Sequence, residues 1–401
     1  MTAPVLLVII PDQLSALVAK GEVQPRYYNP GNLFGEVHIL MTNADRPQED
    51  AVRPMVGDAA MTIHNLPEDY RPLLEPNGIK RWRMFDAWSE PAVALARRLN
   101  PAVVRCHGTD FNTVAARRIK QALGIPYVVS LHTNLDQSPC RRRISIDPEQ
   151  VQVNVAMEDL ERRCLAEADL VVPVYGSILP YLDRLGGFNF EICYNVLNGA
   201  TLRHKDNYAL GSPVRLISVG RQYHEKNAEN ILRAVADLPE VTLTMVGDGP
   251  LHQSLKARAV ELDIVDRIDF QPVVPNAVLC AMLAEFDLFV VHTEAWEFNK
   301  SVIEALLAGL PVIINRRIGR PVPELTEDIV TLVENTPDAY WRAIRCLMDD
   351  HATREAQGRQ AYAISKKLWA PSVTEARYVE IYRRILDGRA AAAGNNQKQL
   401  I

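Results

Sequence analysis

Short runs rich in Val, Ile and Leu alternate with helix-like segments along most of this chain. Runs that are apolar throughout are typical of strands buried on both faces, and their alternation with helices requires parallel strands joined by helical crossovers. The pattern therefore predicts an α/β fold with a doubly wound, Rossmann-like sheet. In the first half, the predicted strands are residues 5–10, 36–41, 102–106, 127–131 and 170–174, and the helices include residues 89–99 and 113–123.

The second half repeats the same order more regularly. Its predicted strands are residues 214–219, 241–246, 267–270, 288–291 and 311–315, and its helices are residues 227–237, 251–262, 277–284 and 301–307. Because 401 residues exceed the size of one ordinary core, two domains of roughly 200 residues are expected. We predict Rossmann-like domains at residues 1–200 and 201–370, facing each other across a cleft at the carboxyl ends of their strands.

Composition excludes several functional classes. The net charge of −5 argues against non-specific nucleic-acid binding, and the longest apolar runs fall short of the ~18 residues that a membrane span needs. The six cysteines form no Cys-x-x-Cys pair, so reduced thiols and a cytoplasmic location are expected. Three short arginine clusters could contact a membrane surface or an acidic acceptor, or they could simply be solvated surface. The clusters are Arg97-Arg98, Arg117-Arg118 and Arg141-Arg142-Arg143.

Two loops that follow predicted strands carry residues suited to phosphate. Gly220 and Arg221 directly follow the strand at residues 214–219, and Lys226 comes just before the next predicted helix. Two cations beside helix N–H groups suit a diphosphate, because charge-assisted hydrogen bonds to phosphate are strong; solvated loop residues are the alternative. Gly247 and Gly249 flank Asp248 after the following strand, where glycine allows either close approach to a ligand or a plain tight turn.

The segment at residues 294–315 combines a polar loop, a short apolar helix and a buried strand. Glu294 and Glu297 precede the helix and could accept hydrogen bonds from sugar hydroxyls, while the helix start could hold a phosphate. The alternative is structural, since Ser301 and Glu304 have the Ser-x-x-Glu spacing of a capping box. The residues alone do not separate the two interpretations.

Two histidines end neighbouring strands in the first half. His132 follows the strand at residues 127–131, and His107 follows the strand at residues 102–106. A histidine at a strand end facing a cleft could donate a hydrogen bond to a sugar hydroxyl or a phosphate oxygen, whereas a lone histidine is more often structural. The pair makes His132 a candidate site residue.

These loops, in this order, resemble the retaining glycosyltransferases of family four, which have the GT-B fold. The resemblance covers about residues 100–390, and the set of motifs is specific although each is weak alone. The matching segments are Ser218-Val-Gly220-Arg221 with Glu225-Lys226, Val246-Gly-Asp-Gly-Pro250, Phe270-Gln-Pro-Val273, Asp287-Leu-Phe-Val-Val, Glu304-Ala-Leu-Leu-Ala-Gly309-Leu-Pro311, and Asn195-Val-Leu-Asn198-Gly199-Ala200.

The resemblance implies an enzyme that moves a sugar from a nucleotide diphosphate sugar to a hydroxyl acceptor, with neither a metal nor a separate cofactor. The acceptor would be a carbohydrate, a lipid-linked molecule or a small molecule, bound by the N-terminal domain. A C-terminal helix at residues 371–388 would cross back to that domain. The composition of residues 389–401, rich in Ala, Asn and Gln, separately predicts a flexible tail after it. Catalysis would involve His132, Arg221, Lys226 and Glu297, and donor binding Gly220, Arg221, Lys226, Gly247, Val273, Asn299, Lys300, Ser301, Val302 and Glu304.

The chain departs from the family pattern in two places. The family has two glutamates eight positions apart, but the residue eight before Glu304 is Trp296, and Glu297 is one position too close. The first loop lacks the usual paired glycines, and residues 27–34 form an unfamiliar insertion. Two other functions therefore stay open: a non-catalytic nucleotide-sugar-binding protein on a degenerate scaffold, and a nucleotide-sugar epimerase. The nucleotide, the sugar, the acceptor and the oligomeric state are not determined.

Overall fold

The computed structural model describes residues 3–137 and 147–398. Two compact units account for them: the described parts of residues 1–19, 23–196 and 374–401, and residues 20–22 with 197–373. Each unit contains one parallel six-stranded sheet. The domain limits predicted from the sequence stay a prediction, and the Arg141-Arg142-Arg143 cluster lies outside the described residues.

The first sheet has the strand order β3-β2-β1-β4-β5-β6. Neighbouring strands are parallel, so the carboxyl ends of all of them lie at one edge. The strands are β1 (Val5–Ile10), β2 (Glu36–Met41), β3 (Ala60–Asn65), β4 (Val103–His107), β5 (Tyr127–Leu131) and β6 (Leu170–Pro173). The accompanying helices are α1 (Leu14–Ala19), α2 (Glu49–Val52), α3 (Arg71–Leu74), α4 (Gly78–Leu99), α5 (Phe111–Leu123), α6 (Pro148–Glu167) and α7 (Leu179–Leu185).

The second sheet has the order β12-β11-β10-β7-β8-β9, again with parallel neighbours. Its strands are β7 (Val214–Val219), β8 (Val241–Val246), β9 (Ile268–Gln271), β10 (Leu288–Val291), β11 (Val312–Asn315) and β12 (Thr331–Val333). The remaining helices are α8 (Glu229–Ala236), α9 (His252–Glu261), α10 (Asn276–Met282), α11 (Lys300–Leu307), α12 (Pro337–Asp349), α13 (His351–Leu368) and α14 (Pro371–Lys398).

Local signals in the sequence set several of these boundaries. Helix α5 begins where the Asp110 carboxylate accepts from the Phe111 N–H (2.8 Å), and it ends at Gly124, whose φ of 68° suits the left-handed C-cap. The predicted helix stop at Gly124 is therefore confirmed. Tyr378 and Tyr382 of α14 are buried in an apolar core cluster of the first unit, which also includes residues of β1 and β2.

Helix α14 continues beyond the predicted limit at residue 388 and runs to Lys398. The segment predicted as a flexible tail, residues 389–401, is thus helical over its described part, and residues 399–401 lie outside the described residues. Within residues 3–137 and 147–398, no helix is both long and apolar enough to cross a membrane.

Candidate functional site

The loops after β7 and β8 are fastened together by their backbones. The Gly220 N–H donates to the Val246 carbonyl (3.0 Å), and the Gln222 N–H donates to the Asp248 carbonyl (2.8 Å). Gly247 has a φ of 132°, and a Cβ atom on it would lie 2.1 Å from the Gly220 oxygen. Glycine is required at position 247 because the two loops touch there and leave no room for a Cβ atom. Gly247, a predicted donor-binding residue, therefore has a structural role in the contact between the loops.

Both predicted phosphate-binding cations contact one aromatic ring. The Arg221 guanidinium carbon lies 5.1 Å from the ring centroid of Tyr223, and the Lys226 ammonium lies 5.7 Å from the same centroid. Arg221 is exposed, whereas the side chain of Lys226 is 11% exposed. Tyr223 was not singled out from the sequence, although an aromatic residue between two cations is a signal that could have identified it.

Glu297 neutralises the more buried of these cations. Its Oε1 atom accepts from the Lys226 ammonium and also from the amide of Asn299 (3.0 Å). The side chain of Glu297 is 29% exposed, so the pair is partly open to solvent. The structure therefore brings together three of the predicted site residues, Lys226, Glu297 and Asn299. Lys226 and Glu297 lie 71 positions apart in the sequence.

The segment before α11 is attached to the loop after β7 by its backbone. The Glu294 N–H donates to the Glu225 carbonyl (2.6 Å), and Glu225 belongs to the 3-10 turn His224–Lys226. The Asn315 side chain, at the end of β11, accepts from the Thr293 N–H (2.8 Å) and donates to the Thr293 carbonyl (3.1 Å). Asn315 was missed as a site residue, although a polar residue ending a buried strand is a usable signal.

The capping-box interpretation of Ser301 and Glu304 is wrong. Helix α11 begins at Lys300 with Asn299 as its N-cap, so Ser301 is already the second helical residue. The Ser301 hydroxyl donates to the Val219 carbonyl at the end of β7 (3.2 Å). Glu304 accepts a hydrogen bond from the Asn276 amide instead (2.8 Å). The start of α11 is thereby held against the end of β7, beside Gly220.

Glu304 is a buried carboxyl group with an unusual acidity. It is 3% exposed, and burial raises its pKa to about 7, against the opposing effects of the Asn276 hydrogen bond and the Lys300 charge. Such a group is partly ionised at neutral pH and can accept hydrogen bonds from a diol. Asn276, at the start of α10, was not identified as a site residue from the sequence. The one local signal is its position after a strand and a proline.

Two other predicted residues are placed differently. Val302 is fully buried in α11, and its N–H donates within the helix to the Asn299 carbonyl (3.1 Å). Val273 follows β9 and is 60% exposed. Their roles in donor binding stay predictions. Among the described residues, no group of three or more His, Cys, Asp and Glu side chains is arranged to hold a metal ion.

The histidine candidates lie in the first unit and contact each other. The His107 and His132 rings are stacked, with centroids 5.0 Å apart and planes inclined by 19°. His107 is the last residue of β4, and His132 directly follows β5. The two side chains therefore meet at the carboxyl edge of the first sheet, as the strand pattern predicted.

Comparison with protein families gives two matches that follow one another along the chain. Residues 203–364 match the model for glycosyl transferases group 1, and residues 32–194 match the model for a glycosyl transferase 4-like domain. Among curated relatives, sulfoquinovosyl transferase SQD2 of Arabidopsis thaliana is 32% identical over 303 residues, which are 73% of this chain and 58% of that protein.

Two further relatives are similar over shorter stretches. The 2-deoxystreptamine glucosyltransferase of Streptomyces kanamyceticus is 35% identical over 25% of this chain and 27% of its own length. A GDP-mannose-dependent phosphatidylinositol monomannoside mannosyltransferase of Mycolicibacterium smegmatis is 26% identical over 48% of this chain and 53% of its own. The chain thus spans from about a quarter to somewhat more than half of the length of these three relatives.

Solved structures resemble the chain over nearly its whole length. Sucrose-phosphate synthase from Thermosynechococcus elongatus has a TM-score of 0.69 at 15% identity, covering 96% of this chain and 99% of that one. Anabaena Alr3699/HepE in complex with UDP and glucose has a TM-score of 0.68 at 16% identity, covering 94% and 98%. At these identities the likeness shows the fold alone, and it confirms the predicted GT-B architecture.

Proposed function

Since the chain belongs to the glycosyltransferases of family four, we propose that it transfers a sugar from a nucleotide diphosphate sugar to an acceptor hydroxyl with retention of configuration. The observation that carries the proposal is the cluster at the carboxyl edge of the second sheet. There Lys226 pairs with Glu297 beside the start of α11, Arg221 lies over the Tyr223 ring that Lys226 also contacts, and Glu304 lies one helical turn into α11. Cations and helix N–H groups suit a diphosphate, and carboxylates suit hydroxyls.

In this proposal the donor diphosphate takes the place that Glu297 occupies beside Lys226. The leaving diphosphate is stabilised by Lys226, Arg221 and the dipole of α11, which is electrostatic catalysis directed at the charge that develops on the departing oxygen. The acceptor hydroxyl attacks from the face that the diphosphate leaves and passes its proton to a departing phosphate oxygen. Glu297, once released, is available to the sugar hydroxyls, and Glu304 to the ribose.

The donor and the acceptor are proposed only as classes. The name of HepE in complex with UDP and glucose supports UDP-sugars as the first donors to test, and the name of one curated relative, the GDP-mannose-dependent mannosyltransferase, supports GDP-sugars as the second. The acceptor is a carbohydrate, a lipid-linked molecule or a small molecule, and neither a cofactor nor a metal is required. A cytoplasmic location is part of the same proposal, and cell fractionation tests it.

The first experiment is a thermal-shift screen with UDP-, GDP- and ADP-sugars, because a ligand that binds the folded state raises the melting temperature. Release of the nucleoside diphosphate from the selected donor then measures turnover. We expect Lys226→Ala to lower turnover by about 10²–10³-fold, since it removes a charge-assisted contact to the leaving group. Lys367→Ala is the matched control, because Lys367 is exposed at the end of α13. Near-normal activity of Lys226→Ala would contradict the clamp.

One observation favours a second candidate, a non-catalytic nucleotide-sugar-binding protein. Glu297 lies seven positions before Glu304 and is engaged with Lys226. A binding protein would bind a donor tightly, show a clear thermal shift and release no nucleoside diphosphate with any acceptor. An epimerase would instead yield a new sugar product without an acceptor, so the same reaction mixtures distinguish all three functions.

A further inference from the structure

Behind His132 lies a second imidazole that the proposed chemistry does not use. Strands β4 and β5 are paired with His107 opposite Ser130, so the side chains of His107 and His132 emerge at the same edge of the sheet. Their rings are nearly parallel, with centroids 5.0 Å apart. One face of the His132 ring is therefore covered by the His107 ring.

His107 is itself held from several sides. It is buried, and its carbonyl accepts from the Asn112 amide (2.6 Å). The rings of Tyr27 and Tyr28 meet the His107 ring edge-on, with centroids 5.3 and 5.1 Å away. The Tyr27 carbonyl in turn accepts from the buried guanidinium of Arg105 (3.0 Å). The His107 ring is therefore packed against two tyrosines as well as against His132.

The backbone of His132 is fixed separately. Its carbonyl accepts from the Tyr175 hydroxyl (2.9 Å), so the position of its Cα atom does not depend on the ring stack. What the stack adds is the orientation of the imidazole plane. A side chain with space around it samples several staggered rotamers, whereas a ring pressed against a rigid neighbour is confined to one.

We propose that His107 is a positioning residue whose ring fixes the plane of the His132 imidazole. The proposal rests on the proposed function together with the catalytic role that the family resemblance implies for His132. A flat ring at position 107 is the requirement, and a nitrogen atom there is not. Misplacement of a reacting group by about 1 Å can cost on the order of 10²-fold in rate. We therefore expect His107→Ala to lower kcat by about 10- to 100-fold while KM for the donor stays within about twofold.

The rescue variant separates positioning from direct catalysis. His107→Phe keeps a flat ring but has no nitrogen, so it should restore kcat to within about threefold of the natural protein. A matched control is available in the same sheet. His38 on β2 is buried and stacked on His64 of β3, with centroids 5.4 Å apart. The rings of this second pair also lie within hydrogen-bond distance, with Nδ1 of His38 3.1 Å from Nε2 of His64. His38→Ala thus removes one ring of a stacked histidine pair elsewhere, and it should leave kcat unchanged.

A measurement without turnover tests the same inference. In protein labelled with ¹³C at the histidine Cε1 position, relaxation of the His132 ring should report a rigid side chain in the natural protein and in His107→Phe. The ring should become mobile on the nanosecond timescale in His107→Ala. If His107→Ala does not fold, the natural protein and His107→Phe still decide the question, because a mobile His132 ring in both would overturn the proposal.

The remaining outcomes are also decisive. A defect in folded His107→Phe as large as that in His107→Ala would show that the nitrogen of His107 is needed and would overturn the positioning role. Unchanged kcat in His107→Ala would overturn it as well. Absence of turnover in the natural protein with every donor would count against the proposed function, whereas the relaxation experiment would still judge the ring stack by itself.

Discussion

Replacing Glu304 with glutamine should change how the stability of the second unit depends on pH. Glu304 is buried, and burial raises its pKa from 4.5 to about 7. One pKa unit corresponds to about 1.4 kcal/mol, so ionising this carboxyl in the folded protein costs about 3 kcal/mol more than ionising it in the unfolded chain. The stability associated with the protonated group is fully present below pH 4.5 and is lost as the pH rises through about 7.

Glu304→Gln is neutral at every pH and can still accept from the Asn276 amide through its own carbonyl. The free energy of unfolding of this variant, relative to the natural protein, should therefore rise by about 2–3 kcal/mol between pH 5 and pH 8. Urea denaturation followed by tryptophan fluorescence measures this difference, since Trp296, Trp341 and Trp369 report on the second unit. Glu261→Gln, at an exposed carboxylate at the end of α9, is the control and should show no such rise.

Two results would refute the reasoning. A stability difference between Glu304→Gln and the natural protein that stays constant from pH 5 to pH 8 would mean that burial does not raise the pKa of Glu304. A difference that changes in the opposite direction would mean that the ionised carboxylate stabilises the fold, and an interaction stronger than its hydrogen bond from Asn276 would then have to exist.

The other predictions concern the loops around the proposed diphosphate site. Glu297→Gln should free the ammonium of Lys226, so that UDP binds about three- to tenfold more tightly in calorimetry while sugar transfer becomes slower; weaker UDP binding would argue against competition for Lys226. Gly247→Ala would place a Cβ atom 2.1 Å from the Gly220 oxygen at a φ of 132°, so it should destabilise the protein by at least about 1–3 kcal/mol and weaken donor binding in a thermal-shift assay. Gly388→Ala is its control, because Gly388 lies on α14 with open space around it, and it should keep or slightly raise the melting temperature.

Much of the sheet architecture was predictable from local pattern. The predicted limits agree with the structure for β1, β2, β5, β7, β8 and β10. A central parallel strand is buried on both faces, so it is a continuous apolar run, and its length of four to six residues and its Val and Ile content distinguish it from a buried helix. The edge strands β3 and β12 were missed because β3 is only half buried and β12 has three residues, so neither shows such a run.

Helices were predicted less completely. Helix α4 begins at Gly78, eleven positions before the predicted start, because Asn77 caps it through the Lys80 N–H (3.0 Å) and the helix continues through Pro91. In a sequence, a proline usually indicates the first turn of a helix, so Pro91 favours a start close to it. In the structure Pro91 lies inside α4, where packing against the rest of the unit has to compensate for the lost backbone hydrogen bond. Helix α6 lies in a segment with little separation of polar and apolar faces, which removes the periodicity that a prediction needs.

The sequence by itself determined the fold class, the two parallel sheets and the loops that carry the candidate chemistry, because apolar periodicity and strand ends are local properties of the chain. The tertiary structure alone decided which partners those residues have. Ser301 bonds to a carbonyl 82 positions away instead of capping its own helix, Glu304 bonds to Asn276, and Lys226 pairs with Glu297. The reason is physical: a buried polar group must be satisfied by whatever donor or acceptor the packing of distant segments brings within about 3 Å, and no local pattern records that distance.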